Sequence, residues 1–411
     1  MAAITLSGFF LRVAWLLIAR PAAVSDALGY KSLALRWIGE GLYERFGEPT
    51  AWRSPGYIAL LAVGSLVSES DLWLGFMNVI ASSAAIPLTA ILANRLGLGN
   101  RVGNGAAAFV AIMPAMVFWA PVLGPENIQT PLLLAALALA AARRRSARSL
   151  VMAGLFMGIA ILVRPESLFY LPVVGIAMWP SPWRTILRET AIVVAMAVAV
   201  CMPWVIRNQV QVGPVGLSSV GGVNFYLAHR ADGYGFAYYD TTDLAGLSEV
   251  EMNREGYRIG MQSLRDQPTR LLGDIVEGTR RLYSVPRYAP FFSTRGFATQ
   301  APYPRAASPS VLGTARAYTQ IAWYAIGSLS IAGWVILLVR RHRAALVTTA
   351  MVFSNWFCFT VVFWALPRYR FPIEPMISIC AAVGLFAAVS TVRTIRSDRA
   401  RKSAQHELAD R

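Results

Sequence analysis

The sequence predicts an all-α polytopic membrane bundle of about ten transmembrane helices. Interfacial helices fill the first outer loop, and a small extracytoplasmic domain of mixed structure is inserted late in the chain. Three observations carry this reading: composition, a series of long apolar runs, and the placement of arginine. The 411 residues are 56% hydrophobic and only 15% charged, with a mean hydropathy of +0.48. Soluble domains carry about 25% charge. The net charge of +16 reports cytoplasmic loops facing anionic lipid in such a chain and does not imply nucleic acid. Cys201, Cys358 and Cys380 all fall in apolar runs, as buried thiols do, and the three histidines form no ligand motif.

A spanning helix takes about 20 apolar residues. Runs that qualify are 4–23, 72–93, 104–123, 127–142, 150–163, 167–180, 190–206, 316–339, 345–366 and 371–392. Runs 150–163 and 167–180 are short, as helices buried in a bundle or extended at their ends are. Basic loops at Arg95 and Arg101, at Arg143, Arg144, Arg145 and Arg148, at Arg184 and Arg188, and at Arg340, Arg341 and Arg343 alternate with the junctions 24–71, 124–126, 164–166, 207–315 and 367–370, which then face the periplasm or cell exterior. Ten spans place all the basic loops in the cytoplasm with both termini and the tail from Arg393 to Lys402, as the positive-inside rule requires. The N-terminus departs from this pattern. It has no basic residue, and Arg12 lies within the first span, which leaves a start further upstream open.

The chain divides accordingly. Residues 1–206 form an N-terminal transmembrane module that includes the first outer loop, 24–71. Residues 207–315 form an extracytoplasmic insertion, 316–392 the C-terminal transmembrane helices, and 393–411 a basic cytoplasmic tail. Stretch 27–46 reads as an interfacial helix offering Leu28, Leu33, Leu35, Trp37, Ile38 and Leu42 to lipid. Within the insertion, Ser248 and Glu251 match a capping box. A helix follows to about Gln262, and Pro268 opens a second one through about Tyr283.

Eight ionisable residues stand at the outer ends of spans: Asp26, Arg53, Glu126, Arg164, Glu166, Arg207, Arg368 and Arg370. Ionisable groups at membrane depth are costly and usually pair or line a cavity. Five arginines beside three acids make a site suited to an anion, since guanidinium binds phosphate or carboxylate in bidentate fashion. An acid kept among them stays ionised and serves as a base. Plainer roles remain open for each. Arg164 and Arg207 can snorkel to headgroups, Arg368 and Arg370 can anchor at the interface with Tyr369, and Arg53 can be a loop charge. Glu126 and Asp26 can cap helices, and Glu166 can simply partner Arg164.

Six stretches, in order, give these charges a family. "SDALGYKSLALRWIGEG", "AWRSPGYIALLA", "GPENIQTPLLL", "ILVRPESLFYLP", "PWVIRNQVQVGPVGLSSVGGVNFYLA" and "LPRYRFPIEPMISICAA" resemble signatures of the integral-membrane GT-C glycosyltransferases. The resemblance is to the bacterial branch of protein-mannosyltransferase-like, aminoarabinose-transferase-like and Rgt-type galacturonosyltransferase-like enzymes. It implies a GT-C-like fold and transfer of a sugar from a polyprenyl-phosphate-linked donor to an acceptor hydroxyl. The acceptor would be a glycolipid such as lipid A, a cell-envelope glycan or a protein, and the chemistry would run on the outer face of the cell inner membrane. Asp26 matches the catalytic acid of the first loop. Arg53, Arg164, Arg207, Arg368, Arg370, Tyr30 and Tyr57 become candidates for donor phosphate or sugar contact, and Glu126 for a sugar or metal contact. The chain departs from the pattern in two places: Asp26 is followed by Ala27 where many relatives carry a second acid, and Ser54 stands where relatives often have proline. No metal triad is evident, so no cofactor is certain, and a divalent cation between Asp26 and Glu126 stays open. The alternatives are a lipid-sugar flippase or transporter, and an O-antigen ligase- or polymerase-like enzyme using a diphosphate-linked glycan.

Overall fold

The computed structural model describes residues 1–230, 241–285 and 308–409. Every predicted apolar run contains helix, though several of these helices end before the run does. α1 covers Ala2–Ala19, and α2, Asp26–Glu40, leads to two short antiparallel strands, β1 (Glu44–Arg45) and β2 (Glu48–Pro49). α3 (Pro55–Ser65), α4 (Asp71–Ser83), α5 (Ala85–Arg95), α6 (Gly99–Ile112) and α7 (Pro114–Phe118) follow. Next come α8 (Glu126–Ala140), α9 (Ala147–Val163), a 3₁₀ turn (Pro165–Tyr170), α10 (Leu171–Ala177) and α11 (Trp183–Gln211). The later elements are α12 (Gly221–His229), α13 (Glu249–Asp266), α14 (Arg270–Leu282), α15 (Pro309–Val339) and α16 (Arg343–Trp356). A π-helical turn (Phe357–Val362), a 3₁₀ turn (Pro367–Ile373) and α17 (Glu374–Ala409) complete the chain.

Among the described residues, six helical stretches are long and apolar enough to cross a membrane: Ala2–Ala19, Asp71–Arg95, Trp183–Gln211, Gly313–Val339, Arg343–Val362 and Pro367–Thr394. The other predicted runs are shorter helices that pack inside the bundle. α8 has 15 residues, about 22 Å at 1.5 Å per residue, against a hydrocarbon core of about 30 Å. Most of its side chains are buried, so protein rather than lipid surrounds it.

Several boundaries differ from the sequence reading, each for a local reason. The helix expected over 27–46 stops at Glu40 because Gly41 turns left-handed, with φ +73°, and the chain then folds into the β1–β2 hairpin. Its apolar residues divide: Leu33 and Trp37 pack inward, whereas Leu28, Ile38 and Leu42 are exposed. α11 runs to Gln211, so Arg207 lies inside a helix instead of at its end. The insertion, expected to be mixed, has no strand among its described residues. Its helices pack on one end of the bundle, with α12 crossing α13 so closely that a Cβ at Gly222 would lie 1.8 Å from the Asn253 carbonyl oxygen. The Ser248–Glu251 capping box is present. α17 continues through the segment read as a basic tail.

Arg12 shows how the bundle accommodates charge within a span. Fully buried in α1, it donates to the carbonyls of Gly8 (2.9 Å), Ala111 (3.0 Å) and Val110 (2.9 Å). Those carbonyls include the last turn of α6, where Pro114 breaks the helix and leaves acceptors without intrahelical donors.

Candidate functional site

Four prolines mark the end of the bundle where the charges gather. Pro55 opens α3 two residues after Arg53. Pro125 precedes α8 and puts Glu126 in its first turn. Pro165 ends α9 at Arg164, and Pro367 opens the 3₁₀ turn that carries Arg368. A proline ring fits a first helical turn but disfavours helix in the residue before it. Each charged side chain therefore leaves its helix at a terminus, where it can turn across the bundle end.

These termini surround a cavity of about 650 Å³. Asp26 lies on its wall between two guanidinium groups. Arg53 Nη2 donates to Oδ1 at 2.6 Å and Arg368 Nη2 to Oδ2 at 2.8 Å. The chain of charges continues inward. Arg368 Nε lies 3.9 Å from Glu126 Oε1, and Arg164 Nη1 donates to that oxygen at 2.5 Å. Arg164 Nη2 reaches Glu166 Oε1 at 3.5 Å. Glu126, 2% exposed, also accepts from Trp119 Nε1 at 3.4 Å. Aromatic rings hold the guanidinium planes: Arg53 lies over Tyr30 (4.9 Å), Arg164 over Tyr369 (4.8 Å), and Arg368 over Trp119 (5.5 Å) and Tyr369 (5.4 Å). Cations, acids and ring faces thus alternate, which limits the desolvation cost of so many buried charges. Arg368 Nε is buried and has no hydrogen-bond acceptor among the described residues, so it remains a donor for an incoming anion.

The backbone aims Asp26. Ser25 has φ +50° and ψ −122°, and Ala27 N donates to Val24 O at 2.9 Å. That is a type II′ turn with Ser25 where glycine is preferred and Asp26 next to it. A second acid anchors the turn, since Asp71 accepts from Ala23 N (3.0 Å) and from Lys31 Nζ (2.6 Å). Burial pushes the Asp26 carboxyl up, but the charges and hydrogen bonds of Arg53 and Arg368 outweigh it and hold the group well below the usual carboxylate range. A non-glycine residue held there costs about 1–3 kcal/mol, part of which glycine returns as unfolded-chain entropy. Ser25→Gly is therefore expected to stabilise the detergent-solubilised protein by about 0.5–1 kcal/mol, read as a rise in thermal unfolding midpoint. A fall would show that the turn carries no strain.

The fold brings together Asp26, Arg53, Glu126, Arg164, Arg368 and Tyr30 from the candidate set, with Glu166 beside them. It does not bring Arg207, Arg370 or Tyr57 to the cavity wall. Arg207 donates to the carbonyls of Thr50 (2.6 Å) and Tyr43 (3.0 Å). Arg370 is fully buried and donates to Leu282 O (2.5 Å), Ser284 O (2.9 Å) and Glu374 Oε1 (3.0 Å). Tyr57 is fully buried against Asn78, whose Nδ2 donates to its hydroxyl at 2.9 Å, and its ring backs Tyr30 edge-on at 5.2 Å. The lining residues that escaped the sequence reading include Trp119, Asn224 and Arg281. No motif marks Trp119, and Asn224 and Arg281 belong to the segment read as an insertion, which lines part of the cavity.

The pair considered for a divalent cation does not fit one. Both acids already bind guanidinium groups, and a divalent ion at that place would face Arg53, Arg164 and Arg368. Among the described residues, no group of three histidine, cysteine or acidic side chains is arranged to hold a metal ion.

A family model described as dolichyl-phosphate-mannose-protein mannosyltransferase matches residues 53–206. No curated protein matches the chain in sequence. Solved structures do match in fold. The oligosaccharyltransferase AglB from Archaeoglobus fulgidus, in complex with an inhibitory peptide and a dolichol-phosphate, aligns with a TM-score of 0.57 at 12% identity, covering 96% of this chain and 51% of that one. The same archaeal enzyme tethered to an acceptor peptide gives 0.55 at 12% identity, covering 96% and 50%. ArnT from Cupriavidus metallidurans bound to undecaprenyl phosphate gives 0.54 at 15% identity, covering 93% and 59%. The chain thus spans only half to three-fifths of the length of these structures. This multi-pass membrane chain therefore shares the fold of the AglB and ArnT structures.

Proposed function

We propose that the chain transfers a sugar from a polyprenyl-phosphate-linked donor to an acceptor hydroxyl of a glycolipid, glycan or protein, at the outer face of the cell inner membrane. The observation that carries this reading is the Asp26 carboxylate bridged by Arg53 and Arg368 on the wall of a cavity at the bundle end. Basic loops at the opposite helix ends support the orientation, with both termini cytoplasmic.

The acceptor oxygen attacks the anomeric carbon, the bond from that carbon to the phosphate oxygen breaks, and polyprenyl phosphate leaves with the electron pair. The acceptor proton passes to Asp26. Charge grows on the leaving phosphate, where Arg53 and Arg368 supply fixed cations. A carboxylate clamped by two guanidinium groups is a weak base, yet those same groups are the donors a phosphate needs. As the donor docks, the phosphate competes for their N–H groups and Asp26 regains basicity. Glu126, ion-paired with Arg164 on the cavity wall, suits contact with sugar hydroxyls.

This exchange has a pH signature. A depressed carboxyl is ionised above its own pKa and fails only as acid protonates it. The acid limb of kcat/KM, which reports free protein, is expected below the ordinary aspartate value of about 3.9. The limb of kcat, which reports the complex, is expected at higher pH. Coincident limbs would show that the donor leaves the clamp intact.

Proteoliposomes carrying radiolabelled polyprenyl-phosphate sugars test the activity itself. A new glycosidic bond is the expected product. Label crossing the bilayer with no such bond would replace the reading with a transporter.

A further inference from the structure

The loop that carries Arg53 is held at every residue. Arg207 Nη1 donates to Thr50 O, and Ala51 N donates to Glu249 Oε2 at 3.0 Å. Ser219 N donates to Ala51 O at 2.9 Å, and Ser218 Oγ donates to Trp52 O at 3.2 Å. Tyr43 OH donates to Arg53 O at 2.8 Å, and Ser54 Oγ to Leu217 O at 3.1 Å. Backbone this fully paired does not shift without breaking several hydrogen bonds together.

One acid stands at the centre of this arrangement. Glu249, first residue of α13, accepts from Thr50 Oγ1 (2.5 Å), Ala51 N (3.0 Å) and Ser219 Oγ (2.9 Å). It thereby joins the Arg53 loop, the 216–219 stretch and α13 through one carboxylate. Thr50 Oγ1 in turn accepts from Trp52 N at 3.0 Å. Glu249 does not line the cavity, so it acts on the site through the segments it joins, of which the 50–53 stretch carries Arg53.

We propose that Glu249 is a positioning residue: by clamping Thr50–Ala51 it sets the Arg53 guanidinium where it meets Asp26 and the donor phosphate. This rests on the reading of Arg53 as a phosphate ligand, and a double-mutant cycle separates the two. The probe is undecaprenyl phosphate, titrated into purified full-length protein in detergent. Arg53→Ala alone is expected to weaken binding about 10–100-fold, the range for a hydrogen bond to a charged group. Glu249→Gln, which keeps the shape and loses the charge and one acceptor, is expected to weaken it about 3–10-fold, within the usual coupling range. In the Arg53→Ala background, Glu249→Gln is expected to add nothing. Additive effects, or undiminished binding by Glu249→Gln, would overturn the positioning role and leave the phosphate reading standing. Unchanged binding by Arg53→Ala would overturn the phosphate reading itself. Ser219→Ala, which removes one donor from the carboxylate, repeats the cycle where Glu249→Gln does not fold, with about a 2–5-fold effect expected. A loss equal in both backgrounds would count against the clamp.

Discussion

Asp26→Asn is expected to remove transfer, lowering turnover about 10²–10⁴-fold, the usual contribution of a positioned base. The amide has nearly the same shape and still accepts one of the two guanidinium bonds, so the α2 turn and the bundle should persist. The same substitution should have an opposite effect on binding. It leaves Arg53 and Arg368 without their shared anion, and both become free for phosphate. Undecaprenyl phosphate should therefore bind the variant more tightly than the wild type while the chemistry stops. A variant that binds more weakly and transfers normally would remove Asp26 from the mechanism.

Arg368→Gln should produce the second large effect. Arg368 touches one acid and approaches the other, stacks on two aromatic rings, and keeps a buried donor free of any acceptor among the described residues. Removing one donor of this kind commonly costs about 10²–10³ in turnover, and donor affinity should fall with it. Arg370→Gln supplies the contrast. Its partner Glu374 is 0% exposed, and breaking a buried pair costs about 3–5 kcal/mol. That variant should lose thermal stability and yield while its folded fraction still binds undecaprenyl phosphate. If both variants lost binding to the same extent with unchanged stability, the division between them would be wrong.

These two arginines also show how far the sequence could be read. The polytopic helical fold was legible because lipid-facing length and apolar composition leave few other solutions. Asp26, Arg53, Glu126, Arg164 and Arg368 were legible as a group because each is a charge at the end of an apolar run, most of them next to a proline. Arg370 has the same sequence context as Arg368 but lies two residues on in a 3₁₀ turn. At three residues per turn the two side chains leave in different directions, and only the packed structure shows which one meets the cavity. Arg207 was misjudged because α11 outlasts its apolar stretch by a full turn, which points the guanidinium at the carbonyls of the first loop. Glu249 was invisible for another reason. The capping box beside it was readable from local spacing, but its own partners, Thr50 and Ala51, lie nearly two hundred residues earlier, and no local pattern spans that distance.

That separation has a consequence for how the protein is made. Thr50 and Glu249 are 199 residues apart in the chain. At about 5–20 residues per second, the ribosome delivers the first loop roughly 10–40 s before the acid that fastens it. During that interval α11 and the segment that follows it must be made. Biogenesis therefore has an order: a nascent chain stalled before α13 would already display its arginines to the lipid but lack the fastening that holds one of them still.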